Sequence, residues 1–489
     1  MRPVDWRAVT AGLATLALAL PAAAAAQTPG VPPQPIGGNS TSAPAFFGAP
    51  AVADPIEQRW RVPRHPFMAP NERSNLHNDA YQTDAYRVSG PLGRDVQVSS
   101  TLFARICGSV TFDSAGRIVT ICIGLDQPVL AMLDPATLET LAAMPLPPRQ
   151  EVGGNPFTNV SGGGYFYLDD QDRIVAPTTT RHVVVIAETP EPGFEQVADY
   201  DLSDVVPAGD GILSALPDWR GRIWFVSRTG VAGWIDPDSG AVHSRELGEA
   251  IENSIAVDDA GGVFVVTNQA LYRLRARRGE VHADWRRPVP TNGIVNPGQL
   301  GSGSGTTPTL IGPNKVAIAD GADQMSVIVY RRGRRSRGRE ICRVPVFEPG
   351  AGATENSLIA ANRSLIVENN YGYTITAAQT GGLTEPGLSR IDVSKGRCRL
   401  VWTSDERAPS VVAKASLENG LIYTYTRPED GDGAWYLTAL DFDTGETAWK
   451  RLAGAGLGYN NHYAPVSIGP DGTAYVGVLG GLVRFADAG

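Results

Sequence analysis

No stretch of this chain of 489 residues places apolar side chains at helical spacing over any length, so it reads as all-β. The chain has no G-x-S-x-G elbow, no H-E-x-x-H pair and no phosphate-binding G-x-x-x-x-G-K. Serine-hydrolase, zincin and nucleotide readings therefore have no motif behind them. A surplus of positive charge is also missing. Forty-two Lys and Arg against 51 Asp and Glu leave a net charge of −9, with both signs mixed along most of the chain. That balance provides no broad basic face and argues against a nucleic-acid partner. Histidine is scarce, at six residues, and cysteine at four.

What is abundant is glycine and proline, 55 and 37 residues, as many short strands joined by turns require. Self-comparison reveals one recurring unit: an apolar strand, an Asp/Asn/Gly turn and a second apolar strand, often followed by a third strand ending in Ile-Asp or Leu-Asp. Its first hairpins start at Cys107, Gly162, Ile212, Asn253, Thr306, Asn356, Val412 and His462. A period of roughly fifty residues is the size of one propeller blade with its loop. The expected fold is a β-propeller of eight blades of four antiparallel strands, with seven as the alternative. The last copy stops near Phe485 without an outermost strand, and the alternating segment Asp95 to Ala104 is expected to supply it and close the ring.

The N-terminus carries Arg2 and Arg7, an apolar run from Ala8 to Leu20, and small residues at Ala24 and Ala26. This reads as a cleaved signal peptide over 1–26, which places the mature chain in the periplasm or the medium without a membrane span. Residues 27–56, rich in Pro, Gly, Ser and Ala, read as a disordered leader. Residues 57–94 read as an extension packed on the propeller, and 95–489 as the propeller itself, expected to be a monomer.

The stretch ALDFDTGETAWKRLAG, with Asp441, Thr444, Gly445 and Trp449, resembles the quinoprotein (PQQ) repeat; degenerate versions lie at 391–402 and 235–240. The resemblance implies the propeller fold. The chain has neither the adjacent cysteine pair typical of quinoprotein dehydrogenases nor a C-x-x-C-H haem signature, which argues against PQQ as cofactor. The hairpins from Asn253 and Asn356 also resemble those of the gluconolactonase, paraoxonase and strictosidine synthase propellers. In that group Asn, Asp and Glu at inner strand ends hold calcium or a similar ion, which here implies Glu252, Asn253, Glu355, Asn356 and Asn369.

In a propeller both ends of each inner hairpin open at one mouth of the channel. Asn253 then falls opposite Asn268, and Asn356 opposite Asn369, beside Glu368 and Asn370; the corresponding end of blade 5 carries Asp320. Converging carboxylates and carboxamides suit a divalent cation such as calcium or a polar ligand, and they serve equally to cap strand ends in a wet channel. Tyr371 could wall a ligand pocket. The loop with Asn461 and His462 reaches the same mouth, and His77 and Asp79 in the extension are candidates for proton transfer. Cys107 and Cys122 take the hairpin positions of Asn253 and Asn268, which makes a cross-strand disulfide plausible. Cys342 and Cys398 belong to outer strands of consecutive blades, which splay apart, and no bridge is expected there. The run RRGRRSRGR from Arg331 to Arg339 reads as a solvated outer turn or as a contact for an anionic surface. Together these readings predict a small-molecule site at the mouth, with metal-dependent lactone or ester hydrolysis as the leading activity. A non-enzymatic binding or envelope-assembly scaffold and a quinone-dependent oxidoreductase are the alternatives.

Overall fold

The computed structural model describes residues 29–125, 127–149 and 161–488. The signal peptide expected over 1–26 lies outside them. Eight sheets of at least four strands each follow one another along the chain as blades 1 to 8, and consecutive strands pair antiparallel from the channel outwards. Blade 1 begins at Ile106–Phe112, blade 4 at Ala256–Val257, and blade 8 at Val466–Ile468. Gln97–Leu102 pairs in register with Gly481–Ala486 as the outermost strand of blade 8, so the ring closes with an N-terminal strand as the alternation predicts.

The recurrent Asp sets the inner turns. Asp113, Asp169, Asp218 and Asp258 each accept from the backbone N–H groups two and four residues ahead through Oδ1. The residue three ahead of Asp113, Asp218 and Asp258 is a glycine with φ of 82°, 81° and 73°, a region that favours residues without Cβ. Arg117, Arg173 and Arg222 fold back to pair with their own Asp at 2.5 to 2.6 Å. This local device holds each hairpin in register at the turn face, opposite the mouth.

Residues 29–102 bind the ring in three ways. The segment whose composition reads as a disordered leader is laid along blade 7. Phe46–Gly48 pairs with the outer strand Thr447–Ala455, and Phe46 stacks on the buried Trp449. Two adjacent phenylalanines in a polar stretch give it apolar surface to bury. Residues 60–72 then cross the turn face. Residues 74–86 enter the channel, where inner strands donate N–H groups to the carbonyls of Ser74, Ala80, Tyr81, Thr83 and Asp84 from blades 2, 4, 5, 6 and 7 in turn. The inner edges of these five blades, open in a bare ring, are thereby bonded by a single segment.

Both pairs of cysteines are bonded. Cys107 and Cys122 face each other across the first hairpin of blade 1 with Cα atoms 3.9 Å apart. Cys342 and Cys398 are also joined, with Cα atoms 5.7 Å apart, contrary to the expectation from splaying outer strands. Blade twist brings the outer strand Glu340–Pro345 of blade 5 against Arg397–Ser404 of blade 6, so the perimeter converges there.

Candidate functional site at the channel mouth

A cavity of about 490 Å³ opens at the mouth over blades 8, 1 and 2. Its walls are mostly aliphatic, with Leu102, Ile106, Ile123 and Leu479 among them, and its floor includes Leu76 of the channel segment and Tyr165. Gly108, beside a bulge in the first strand of blade 1, leaves room: a Cβ there would meet nothing within 4 Å. The loop Tyr459 to Tyr463 carries His462 into the wall. Its Nδ1 lies 3.2 Å from the Tyr373 hydroxyl, which donates to the Asn461 carbonyl at 2.7 Å. The Tyr463 ring packs edge-on against Tyr373, centroids 5.4 Å apart.

Behind Tyr165, whose hydroxyl donates to Asn253 Oδ1 at 3.3 Å, lie the predicted carboxyl groups. Asn253 Nδ2 donates to Glu355 Oε1, and the Leu300 N–H to Glu355 Oε2, both at 2.9 Å. Glu252 and Asn268 complete the lining of a water-sized cavity of about 10 Å³. The glycine-rich loop 298–305 roofs it. At Gly303 a Cβ would come within 2.4 Å of Asn268 Cα, so a side chain there would lift the roof. Burial pushes the Glu355 carboxyl up to about 8, with the nearby Glu252 adding to it, and Glu252 itself up to about 7. Among the described residues no three His, Cys, Asp or Glu side chains converge as a cation site. Each oxygen of Glu355 accepts one N–H, which anchors the carboxyl to the Asn253 amide and the Leu300 backbone.

A second buried cluster joins the channel segment to blades 6 and 7. Asn356 Nδ2 donates to Glu368 Oε2 at 3.0 Å and Thr424 to Glu368 Oε1 at 2.7 Å; burial pushes Glu368 up to about 8. Nearby, His77 Nδ1 lies 3.0 Å from both Asp84 Oδ1 and the Ser357 hydroxyl, while Lys414 Nζ pairs with Asp84 and donates to the Leu76 carbonyl at 2.7 Å. Burial lowers both His77 and Lys414. It opposes ionisation of Asp84 too, but His77 and Lys414 hold that carboxyl below its ordinary range. Asp79 is pushed up to about 7 by burial and accepts from the Thr83 hydroxyl and the Tyr81 N–H.

The predicted residues thus fall into separate groups. Glu252, Asn253, Asn268 and Glu355 share one small cavity; Asn356 and Glu368 form a pair; His77 and Asp79 sit in the channel segment; His462 alone lines the large pocket. The others serve the backbone. Asn369 accepts from the Ala353 and Tyr371 N–H groups, Asn370 from Glu355, and Asp320 from Ser326, while Asn461 donates to the Ala464 and Gly477 carbonyls. Tyr371 lies half-buried where the glycine-rich loop meets blade 6. Sequence reading missed Asp84, Ser357, Lys414 and Tyr165. A lysine on the inner strand Lys414–Ser416 was the available signal, since alternation aims it into the channel.

No known family profile matches the chain. An uncharacterized protein of Archaeoglobus fulgidus is 29% identical over 326 residues, covering 59% of this chain and 63% of that protein, so the match spans less than two thirds of the relative. Among solved structures, a europium-containing methanol dehydrogenase is similar over 83% of this chain and 89% of its own, with TM-score 0.54 and 11% identity. BamB from Moraxella catarrhalis matches 82% and 96% with TM-score 0.47 and 14% identity. A streptogramin B lyase matches 80% and 97% with TM-score 0.42 and 12% identity. The likeness to the dehydrogenase is one of fold, and it agrees with the quinoprotein-like repeat at Asp441 to Trp449.

Proposed function

We propose that this chain is an exported propeller that binds an apolar small molecule in the mouth pocket between blades 8, 1 and 2. The carrying observation is the cavity of about 490 Å³ walled by aliphatic side chains, a volume in the range of small-molecule sites. Two disulfides fit an oxidising compartment, and among the described residues no helix is long and apolar enough to cross a membrane. The test uses Gly108→Phe, which fills the cavity from a position open to a side chain. In a thermal-shift screen of lactones and of alkyl and aryl esters, a binder at about 100 times its Kd adds ~2.7 kcal/mol to the original protein. The variant should melt at the original temperature without ligand and show no shift with it. Equal shifts in both proteins would place the binding elsewhere.

Hydrolysis of such a ligand is the second reading, favoured by the single observation that His462 stands in the pocket wall with Nδ1 held by Tyr373. Its imidazole would take a proton from the attacking water. His462→Ala should then abolish ester turnover and leave binding in place; turnover at the original rate would refute the assignment.

A further inference from the structure

The turn face and rim of blades 4 to 6 carry an unbalanced positive charge in a chain whose net charge is −9. Each blade contributes its third turn. Arg277 and Arg278 stand at the tip of blade 4, Arg334, Arg335 and Arg337 on blade 5, and Lys395 and Arg397 on blade 6, all exposed. Among the described residues no carboxylate forms an ion pair with any of these seven. Most acids near these turns are engaged elsewhere: Asp284 by Arg273 and Arg275, Asp259 by Tyr81 and Arg332, Glu340 by Arg343, Asp392 by Arg390; Glu280 stands exposed opposite Arg277 and offsets one charge of the blade 4 tip. Nearer the channel, the segment crossing this face adds exposed Arg61 and Arg64. The Lys315 ammonium in the inner turn of blade 5 is lowered by burial and then by Arg331 and Arg332, a sign of the local potential.

Aromatic side chains also lie on this face. Trp60 stacks on Tyr81, centroids 5.3 Å apart, with the Arg332 guanidinium 4.5 Å from the same ring. Phe67, 39% exposed, rests over the inner turn of blade 3 at Gly221. The neighbouring turns of blades 1 to 3 are acidic, with Asp134, Asp170, Asp172, Asp236 and Asp238.

We infer that this basic crescent docks the protein on an anionic lipid bilayer, with the arginines on headgroup phosphates and Trp60 of the crossing segment at the interface. The charges are spread over three blades and a crossing segment along a rim, which suits a broad flat polyanion. Arginine matches phosphate with paired N–H donors, and the acidic sector beside the crescent makes the contact one-sided. The mouth pocket on the opposite face then points away from the membrane.

Vesicle sedimentation at low salt tests this with phosphatidylcholine alone and with phosphatidylglycerol added. Binding is expected only to the second and should fall as salt is raised. Each neutralised charge is worth roughly a fivefold change, so Arg277→Gln/Arg334→Gln/Arg335→Gln should weaken partition roughly a hundredfold. Lys395→Gln/Arg397→Gln, in an independent turn, should weaken it in the same direction, and Arg245→Gln on blade 3 should not. All three variants should melt with the original protein. Absent binding to the anionic vesicles, or partition unchanged in both crescent variants, would overturn the proposal. So would tighter binding to a single-stranded oligonucleotide than to vesicles at equal salt, or low-salt dimerisation that hides the crescent.

Discussion

Glu368 holds its proton at neutral pH at the expense of stability, and Glu368→Gln should relieve that cost in a pH-dependent way. The carboxyl is fully buried, and its proton is retained up to about 8 against an ordinary 4.5. Below 4.5 the group is protonated whether the chain is folded or not, and it contributes no difference. Between 4.5 and 8 the unfolded chain releases the proton while the folded one keeps it, so stability falls as pH rises across that window. At pH 7 the gap amounts to about 3 kcal/mol at ~1.36 kcal/mol per unit. Glutamine keeps the shape and the hydrogen-bonding capacity of the neutral acid toward Asn356 and Thr424, and it has no proton to lose. At about 2.1 cal/mol/K per residue, a chain of 489 residues gains ~1 kcal/mol/K of unfolding entropy, so the variant should melt ~3 °C above the original protein at pH 7. Near pH 4.5 the two should coincide. His77, buried and shifted the opposite way, is common to both proteins and cancels in the difference. Scanning calorimetry of both proteins across this range is the assay. A difference in melting temperature that does not grow with pH would refute the account of Glu368 as a neutral acid.

Removing the ammonium of Lys414 by Lys414→Met leaves Asp84 charged and buried beside His77, at a cost of ~3–5 kcal/mol, or a fall of about 3–5 °C in melting temperature. Adding Asp84→Asn should recover part of that loss; a double variant less stable than the single one would contradict the pairing. Breaking the bridge between blades 5 and 6 with Cys342→Ser/Cys398→Ser opens a loop of 56 residues, worth about 4 kcal/mol of chain entropy, and should lower melting by ~4 °C without changing ligand shifts at the mouth. Mass analysis that finds free thiols at Cys342 and Cys398 in the original protein would remove the basis of that expectation.

The propeller was legible because each inner hairpin announces itself within about sixteen residues: the apolar alternation and the Asp-to-Gly turn are both local, and the eighth copy visibly lacks a strand that Gln97–Leu102 supplies. The mouth was legible in outline for the same reason, since the position of Asn253 opposite Asn268 follows from counting back from a turn. The His77, Asp84, Ser357 and Lys414 cluster was not, because its paired members Asp84 and Lys414 lie 330 residues apart and meet only through a segment without periodicity. The apolar pocket was hidden as well. Leu102, Ile106 and Leu479 read as ordinary core residues until loop geometry leaves them uncovered. The third turns conceal their common sign for a related reason: Arg277, Arg335 and Arg397 are far apart in a mixed-charge sequence and adjacent only around the ring.

Three N-terminal strands, Phe46–Gly48, Ala85–Tyr86 and Gln97–Leu102, find their partners in blades 7 and 8, some 330 to 400 residues later. Blades 1 to 6 can form in the order in which they are synthesised, but the ring cannot lock until the last strand exists. Until then Phe46–Gly48, Ala85–Tyr86 and Gln97–Leu102 wait with their strand edges unmatched. Closure of such long loops is the slow event in folding, and it sets the interval during which the chain is open to proteases and to pairing with its neighbours. A kinetic trace of refolding should therefore end in one late phase, reported by Trp449 as Phe46 arrives over it.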